Sequence, residues 1–88
     1  MTNQNPEKVT MYGADWCGDC RRAKKLFDAA GIDWDYIDLI ENEAAVETAK
    51  AISGRIQIPV VVYPDGAHQV EPSNHDMTAK LQELGLLS

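Results

Sequence analysis

The sequence predicts an α/β domain in which a four-stranded mixed sheet is covered by three helices, in the order βαβαββα. The first observation is that apolar residues switch between strand and helix periods along most of the chain. The second is a turn at Pro64-Asp65-Gly66 between the last two strand-like segments. Because strand-helix-strand connections favour parallel pairs and a tight turn gives an antiparallel pair, the sheet is predicted to be mixed.

The first strand and helix flank the only two cysteines of the chain. Residues 8–12 are β-prone, residues 13–16 form a predicted loop, and residues 21–30 carry apolar side chains at helical spacing. Gly31 is suited to end this helix. Cys17 and Cys20 therefore lie at a strand-to-helix turn, within reach of a common disulfide.

A second strand and helix follow. Residues 32–39 alternate apolar and acidic side chains with the period of a half-buried strand. Asn42 can cap a helix whose first turn carries an acidic residue, and Ser53-Gly54 ends it.

The last third of the chain predicts a hairpin and a helix. Residues 58–63 are a β-branched run, and residues 67–70 follow the turn as its antiparallel partner. Ser73 with Asp76 resembles a capping box, and apolar residues then recur at helical spacing up to Gly85.

Length and charge limit the classes of function. With 88 residues the chain is predicted to be a single domain, 1–88, in which 1–7 form a flexible N-terminal extension. The formal net charge of −6 offers no field attractive to nucleic acid or to an anionic membrane. No segment is typical of a secretion signal or a membrane span, so we expect a cytoplasmic protein. Cysteines in a reducing compartment are more often catalytic or metal-binding than structural.

The position of the cysteines predicts thiol–disulfide chemistry. A helix N-terminus carries unpaired N–H groups and about half a positive charge, which stabilise a thiolate on Cys17. Cys20 falls in the first helical turn, where it is better placed to attack a disulfide formed on Cys17. Carboxylates at Asp15 and Asp19 oppose the thiolate, and Arg21 or Arg22 can offset them.

These residues resemble the glutaredoxin family, which has a thioredoxin-like fold. The resemblance lies in Trp16-Cys17-Gly18-Asp19-Cys20, in Ile58-Pro59 at the start of the third strand, and in the final hairpin and helix. It implies a thiol–disulfide oxidoreductase with catalytic Cys17 and Cys20. It also implies a cis Pro59 facing the dithiol and an Ile58 backbone that pairs with an extended substrate. The substrate-binding residues that we expect are Trp16, Gly18, Asp19, Ile58, Pro59, Ser73 and Asn74.

Departures from the familiar glutaredoxin pattern indicate which small thiol is used. Ala14 and Asp19 replace a lysine and an aromatic residue, and Pro72-Ser73-Asn74 replaces paired glycines, so expected contacts to glutathione are missing. A neutral sugar-linked thiol needs these contacts less than a doubly carboxylated peptide does. Glu71-Pro72-Ser73 after Asp65-Gly66 is most similar to the mycoredoxins, whose partner is mycothiol.

Several alternatives stay open. A thioredoxin-like electron donor, reduced by a flavoprotein reductase, is weakly disfavoured because the last loop lacks the tryptophan-serine-glycine-phenylalanine pattern of such donors. A metal-binding module is disfavoured because a closed zinc site takes about four ligands, and the sequence has no second cysteine pair and no regularly spaced histidine pair. An iron–sulfur cluster held through Cys17 by two chains is neither required nor excluded. Otherwise we expect no cofactor and a monomer acting on disulfide-bearing proteins. Trp16 is either a docking surface or a packing residue.

Overall fold

The computed structural model describes residues 5–87, and its secondary structure follows the predicted order βαβαββα. Of the predicted flexible extension over residues 1–7, residues 1–4 lie outside the described residues. The elements are β1 Val9–Gly13, α1 Gly18–Ala30, β2 Trp34–Asp38, α2 Glu43–Ser53, β3 Val60–Val62, β4 His68–Val70 and α3 Asn74–Glu83.

The sheet has four strands in the order β2-β1-β3-β4. β1 pairs in parallel with β2, whereas β3 is antiparallel to both β1 and β4, which confirms the mixed sheet. In this register Tyr12 lies opposite Val60, and Val60 lies opposite Val70. The turn that follows β1 therefore meets the residues before β3 and after β4 at one end of the sheet.

Three strands are shorter than predicted, β4 by a single residue, since it covers His68–Val70 and not residues 67–70. β3 begins at Val60 and not at Ile58, because Pro59 has no N–H group to donate to the strand ladder. β2 covers Trp34–Asp38 and not residues 32–39, because its pairing with β1 extends only from Val9 to Gly13. The predicted pairing partners are nevertheless found, since β2 pairs with β1 and β3 pairs with β4.

The predicted helix caps are confirmed. Gly31 ends α1 in the left-handed conformation, with φ 72°. The side chain of Asn42 accepts a hydrogen bond from the backbone amide of Ala45, and that of Ser73 accepts one from Asp76. α1 begins earlier than its apolar pattern indicates, at Gly18, so that Cys17 itself occupies the N-cap position.

The core divides between the two faces of the sheet. On one face Met11 and Val61 pack with Phe27 of α1 and Leu81 of α3. On the other face Val60 and Val62 pack against Ala49 of α2. α1 and α3 thus cover one face and α2 the other. None of the described helices is long and apolar enough to cross a membrane.

Candidate active site

Cys17 occupies the N-cap of α1, where its sulfur meets the free amide groups of the first turn. The backbone amide of Cys20 donates a hydrogen bond to Cys17 Sγ over 3.3 Å. The Cys17 thiol in turn lies 3.8 Å from the carbonyl oxygen of Ile58. The backbone amide of Cys20 and the positive end of α1 therefore both point at this sulfur.

Cys20 lies behind Cys17 and is fully buried. Burial, and then the hydrogen bond with Cys17, raise the pKa of the Cys20 thiol to about 12. Both cysteines are free in this structure. Cys20 is therefore a protonated thiol at neutral pH, held directly beneath the sulfur that faces the surface.

Gly13 provides the space that the Cys20 side chain occupies. A β-carbon built on Gly13 would lie 2.8 Å from Cys20 Sγ, closer than real contacts allow, and 3.5 Å from Cε1 of Tyr36. The last residue of β1 must therefore be glycine for the buried thiol to keep its position. This requirement comes from a close approach between elements and is not visible in the local sequence pattern.

The segment before β3 forms the opposite wall. The Ile58–Pro59 peptide bond is cis, as the resemblance implied. Pro59 is buried, and its carbonyl oxygen accepts a hydrogen bond from the backbone amide of Glu71 over 2.9 Å. This contact extends the β3–β4 pairing by another step and brings Glu71 to the rim of the site.

An open cavity of about 510 Å³ lies over Cys17. It is bordered by residues 16–19, residues 56–58 and Glu71. Cys17 is 9% exposed at the cavity wall, whereas Trp16 beside it is 70% exposed. Trp16 is thus a surface residue, which rules out the alternative that it serves core packing.

A second, apolar groove of about 390 Å³ adjoins this cavity and shares its Trp16 and Ile56–Ile58 walls. It continues towards α2 over Ile40 and Val46. Ile40 and Ile56 are both largely exposed. The approach to Cys17 is therefore apolar on this side and polar on the side of Asp19 and Glu71.

Arg22 links the dithiol turn to the loop before α3. Its Nη2 atom lies 3.2 Å from Asp19 Oδ1 and donates to the carbonyl oxygen of Pro72 over 3.2 Å. Its Nη1 atom donates to Asn74 Oδ1 over 2.8 Å. Among the predicted binding residues, Asn74 thus contacts Arg22, Ser73 caps α3, and neither lines the Cys17 cavity.

The carboxylates beside the dithiol have cationic neighbours. Asp19 pairs with Arg22, and Asp15 Oδ1 lies 3.4 Å from Lys24 Nζ. Burial, and then the charge of Asp15, raise the pKa of Tyr36 to about 12, and its hydroxyl donates to Asp15. The offset expected for these charges is supplied by Arg22 and Lys24, whereas Arg21 bonds the carbonyl oxygen of Asp15.

Two residues of the site were absent from the sequence-based set. The sequence predicts for Arg22 only a charge near the sulfur, although its spacing of three from Asp19 is typical of a helical ion pair. Glu71 had no signal of its own, because its place at the cavity depends on strand pairing. Within residues 5–87, no group of three or more histidine, cysteine or acidic side chains is placed to hold a metal ion. His68 and His75 are exposed and lie outside the cavity lining.

Comparison with known proteins agrees with this geometry. The family model described as Glutaredoxin matches residues 9–69. Mycoredoxin 1 of Corynebacterium glutamicum is 38% identical over 77 residues, which cover 86% of this chain and 95% of the relative.

Solved structures give a similar result. The glutaredoxin of Archaeoglobus fulgidus superposes with a TM-score of 0.71 at 30% identity, over 88% of this chain and 84% of that chain. NrdH-redoxin of Escherichia coli, described as a glutaredoxin-like protein with a thioredoxin-like activity profile, has a TM-score of 0.73 at 27% identity. That alignment covers 84% of this chain and 93% of the other.

Proposed function

Because this chain belongs to the glutaredoxin family of thiol–disulfide oxidoreductases, we propose that it reduces mixed disulfides through Cys17 and is regenerated by a small thiol such as mycothiol. The observation that carries the proposal is the place of Cys17 Sγ. This sulfur accepts a hydrogen bond from the backbone amide of Cys20 at the start of α1, and Cys17 lines an open cavity.

The reaction follows from that placement. The Cys17 thiolate attacks the small-thiol sulfur of a mixed disulfide, so that the substrate S–S bond breaks and a Cys17–small-thiol disulfide forms. The substrate leaves as a thiolate and takes up a proton. A second small thiol then attacks this intermediate, releases Cys17 and leaves as a symmetrical disulfide. The net reaction is an exchange in which one free small thiol is oxidised for each substrate thiol released; the other half of the symmetrical disulfide comes from the mixed disulfide, and Cys20 is not consumed.

The walls of the cavity have separate roles in this scheme. The backbone of Ile58, next to Pro59 and 3.8 Å from Cys17 through its carbonyl oxygen, pairs with an extended substrate segment. Trp16 and Gly18 flank the reacting sulfurs. Asp19 and Glu71 border the small thiol, and a neutral sugar-linked thiol fits such walls better than a carboxylated peptide.

A second candidate function is a thioredoxin-like dithiol donor, in which Cys20 resolves the intermediate and a flavoprotein reductase restores the dithiol. Similarity to NrdH-redoxin favours it, as does the apolar groove beside Trp16, which suits a protein partner. Under either function, two free cysteines are better suited to the reducing cytoplasm than to an oxidising compartment.

Exchange of Cys20 for serine separates the two. We expect Cys20→Ser to retain turnover of a mixed disulfide when mycothiol or another small thiol is the reductant, and Cys17→Ser to lose it. Complete loss of activity in Cys20→Ser, with full activity of the parent on a flavoprotein reductase, would favour the second candidate. Iron content and visible absorbance after anaerobic purification test the remaining iron–sulfur alternative.

A further inference from the structure

We propose that Glu71 selects the small thiol by charge, so that the site favours neutral or cationic thiols over thiols that carry carboxylates. This inference rests on the proposed function, because it concerns the ligand of the same cavity. It assigns a role in specificity to a residue that has no part in the bond exchange itself.

The first argument is the charge that lines the cavity. Apart from Cys17, its ionisable lining residues are Asp19 and Glu71, and neither Arg22 nor Arg55 belongs to the lining. The Asp19 carboxylate lies 3.2 Å from Arg22, so its charge is largely compensated. Within residues 5–87, the carboxylate of Glu71 forms no ion pair or hydrogen bond with a side chain, so the charge of this cavity-lining residue is not compensated by a cation.

The second argument is the backbone of Glu71. Its φ of 49° is the only positive value among the described non-glycine residues. This left-handed conformation disfavours a residue with a long side chain, and glycine or asparagine would adopt it more readily. The conformation is held by the amide of Glu71, which bonds the carbonyl oxygen of Pro59 over 2.9 Å. A glutamate in this position therefore places a carboxylate at the cavity rim at some conformational cost.

The third argument is that Arg22 is unable to move towards Glu71 without losing its partners. Its guanidinium bonds Pro72 and Asn74 in addition to Asp19. These bonds fix the loop that follows Glu71 while they keep the positive charge on the α1 side of that loop. The charge of Glu71 is consequently felt by a ligand attached to Cys17.

The size of the effect follows from Coulomb's law. For unit charges ~7 Å apart at an effective dielectric of roughly 60, with some screening by salt, it predicts a change of about three- to fourfold for each unit of ligand charge. Cysteamine and glutathione differ by two such units, since the first carries an ammonium group and the second two carboxylates and an ammonium group. Glu71 should therefore change the preference between them by about tenfold at low salt.

The test uses mixed disulfides of a common neutral peptide with cysteamine, mercaptoethanol and glutathione. We expect Glu71→Gln to lower the cysteamine-to-glutathione ratio of kcat/KM by about tenfold relative to the parent, and Glu71→Lys to lower it by about a further tenfold. Intrinsic differences between the thiols cancel in this comparison. Glu71→Gly removes the charge and also suits the positive φ, so it should behave like Glu71→Gln if charge is the cause. The matched control is Glu7→Gln, an exposed residue at the opposite end of β1.

The outcomes distinguish the two levels of the proposal. Equal ratios in the parent, Glu71→Gln and Glu71→Lys, with all substrates turned over, would overturn the role of Glu71 and leave the proposed function intact. No turnover of any mixed disulfide by the folded parent would overturn the proposed function itself. A ratio that changes equally in Glu7→Gln would show a general effect of net charge and would also overturn the inference.

Discussion

The backbone amide of Cys20 donates a hydrogen bond to Cys17 Sγ over 3.3 Å, while the thiol of Cys20 is fully buried. The main chain of Cys20 thus contacts the Cys17 sulfur, while the Cys20 sulfur itself is shielded from solvent. Its side chain is available to a disulfide on Cys17 without competing for the incoming substrate.

Selective alkylation tests whether the Cys17 thiol is reactive while the Cys20 thiol is protected. At about pH 8, iodoacetamide should label Cys17 and leave Cys20 unlabelled in the folded protein, because burial and the hydrogen bond with Cys17 raise the pKa of Cys20 to about 12. Labelling of Cys20 should begin only as the pH rises towards that value. Mass-spectrometric mapping of the labelled peptides measures both sites. Equal labelling of the two thiols near neutral pH, in protein shown to be folded, would contradict the assignment.

Substitution of Gly13 tests the packing behind the dithiol. Gly13→Ala should destabilise the fold by about 1–3 kcal/mol, because the new methyl group would lie 2.8 Å from Cys20 Sγ. Urea denaturation of the reduced protein gives the free energy of unfolding. The matched control is Gly18→Ala, where the nearest atom is 3.8 Å away and the residue is helical, so stability should be unchanged or higher. A Gly13→Ala variant as stable as the parent would mean that Cys20 has room to move.

Replacement by alanine should affect activity at Trp16 and stability at Trp34. Trp16→Ala should change the free energy of unfolding by less than about 0.5 kcal/mol, because the side chain is exposed, and should slow the reduction of protein disulfides. Trp34 packs on Phe27 at 5.4 Å between ring centroids and bonds Asp28, so Trp34→Ala should cost about 2–3 kcal/mol. Thermal unfolding and an insulin-reduction assay make the comparison. Unimpaired protein reduction by Trp16→Ala would argue against docking at this surface.

The Arg22 contacts should appear as coupling between α1 and the loop before α3. Arg22→Ala should lower the free energy of unfolding by about 1–2 kcal/mol through the loss of bonds to Asp19, Pro72 and Asn74. A double-mutant cycle with Asn74→Ala isolates the bond between these two side chains. Lys25→Ala removes a charge from the same helix and serves as the control. If the effects of Arg22→Ala and Asn74→Ala are strictly additive, the two side chains do not interact in solution.

Features that depend on short segments were predictable from the sequence. The caps at Asn42 and Ser73 and the left-handed Gly31 each depend on a few neighbouring residues, and the structure has all three. The placement of Cys17 at a helix start follows from the same local logic. Strand ends were less predictable, because the ladder partner decides where pairing stops.

Features that depend on tertiary contacts were not predictable. Arg22 donates a hydrogen bond to Asn74, which lies 52 residues away in the sequence, and the residues around neither of them predict this bond. Glu71 reaches the cavity only because β4 pairs with β3 in the observed register. The sequence predicts that Ser73 and Asn74 bind the ligand; of the contacts that the structure gives them, it predicts the helix cap of Ser73 and does not predict the hydrogen bond of Asn74 with Arg22.

The low exposure of Cys17 restricts the shape of the proteins that it can attack. Only 9% of the residue is accessible, so a disulfide embedded in a flat and rigid surface could not bring its sulfur into line behind the rim formed by Trp16 and Ile56. If this chain reduces protein disulfides as proposed, we expect its substrate proteins to present the bond on a protruding loop, a frayed terminus or a locally unfolded segment. Under the proposed function, the local conformation of the substrate protein would then decide, together with its redox potential, which disulfides react.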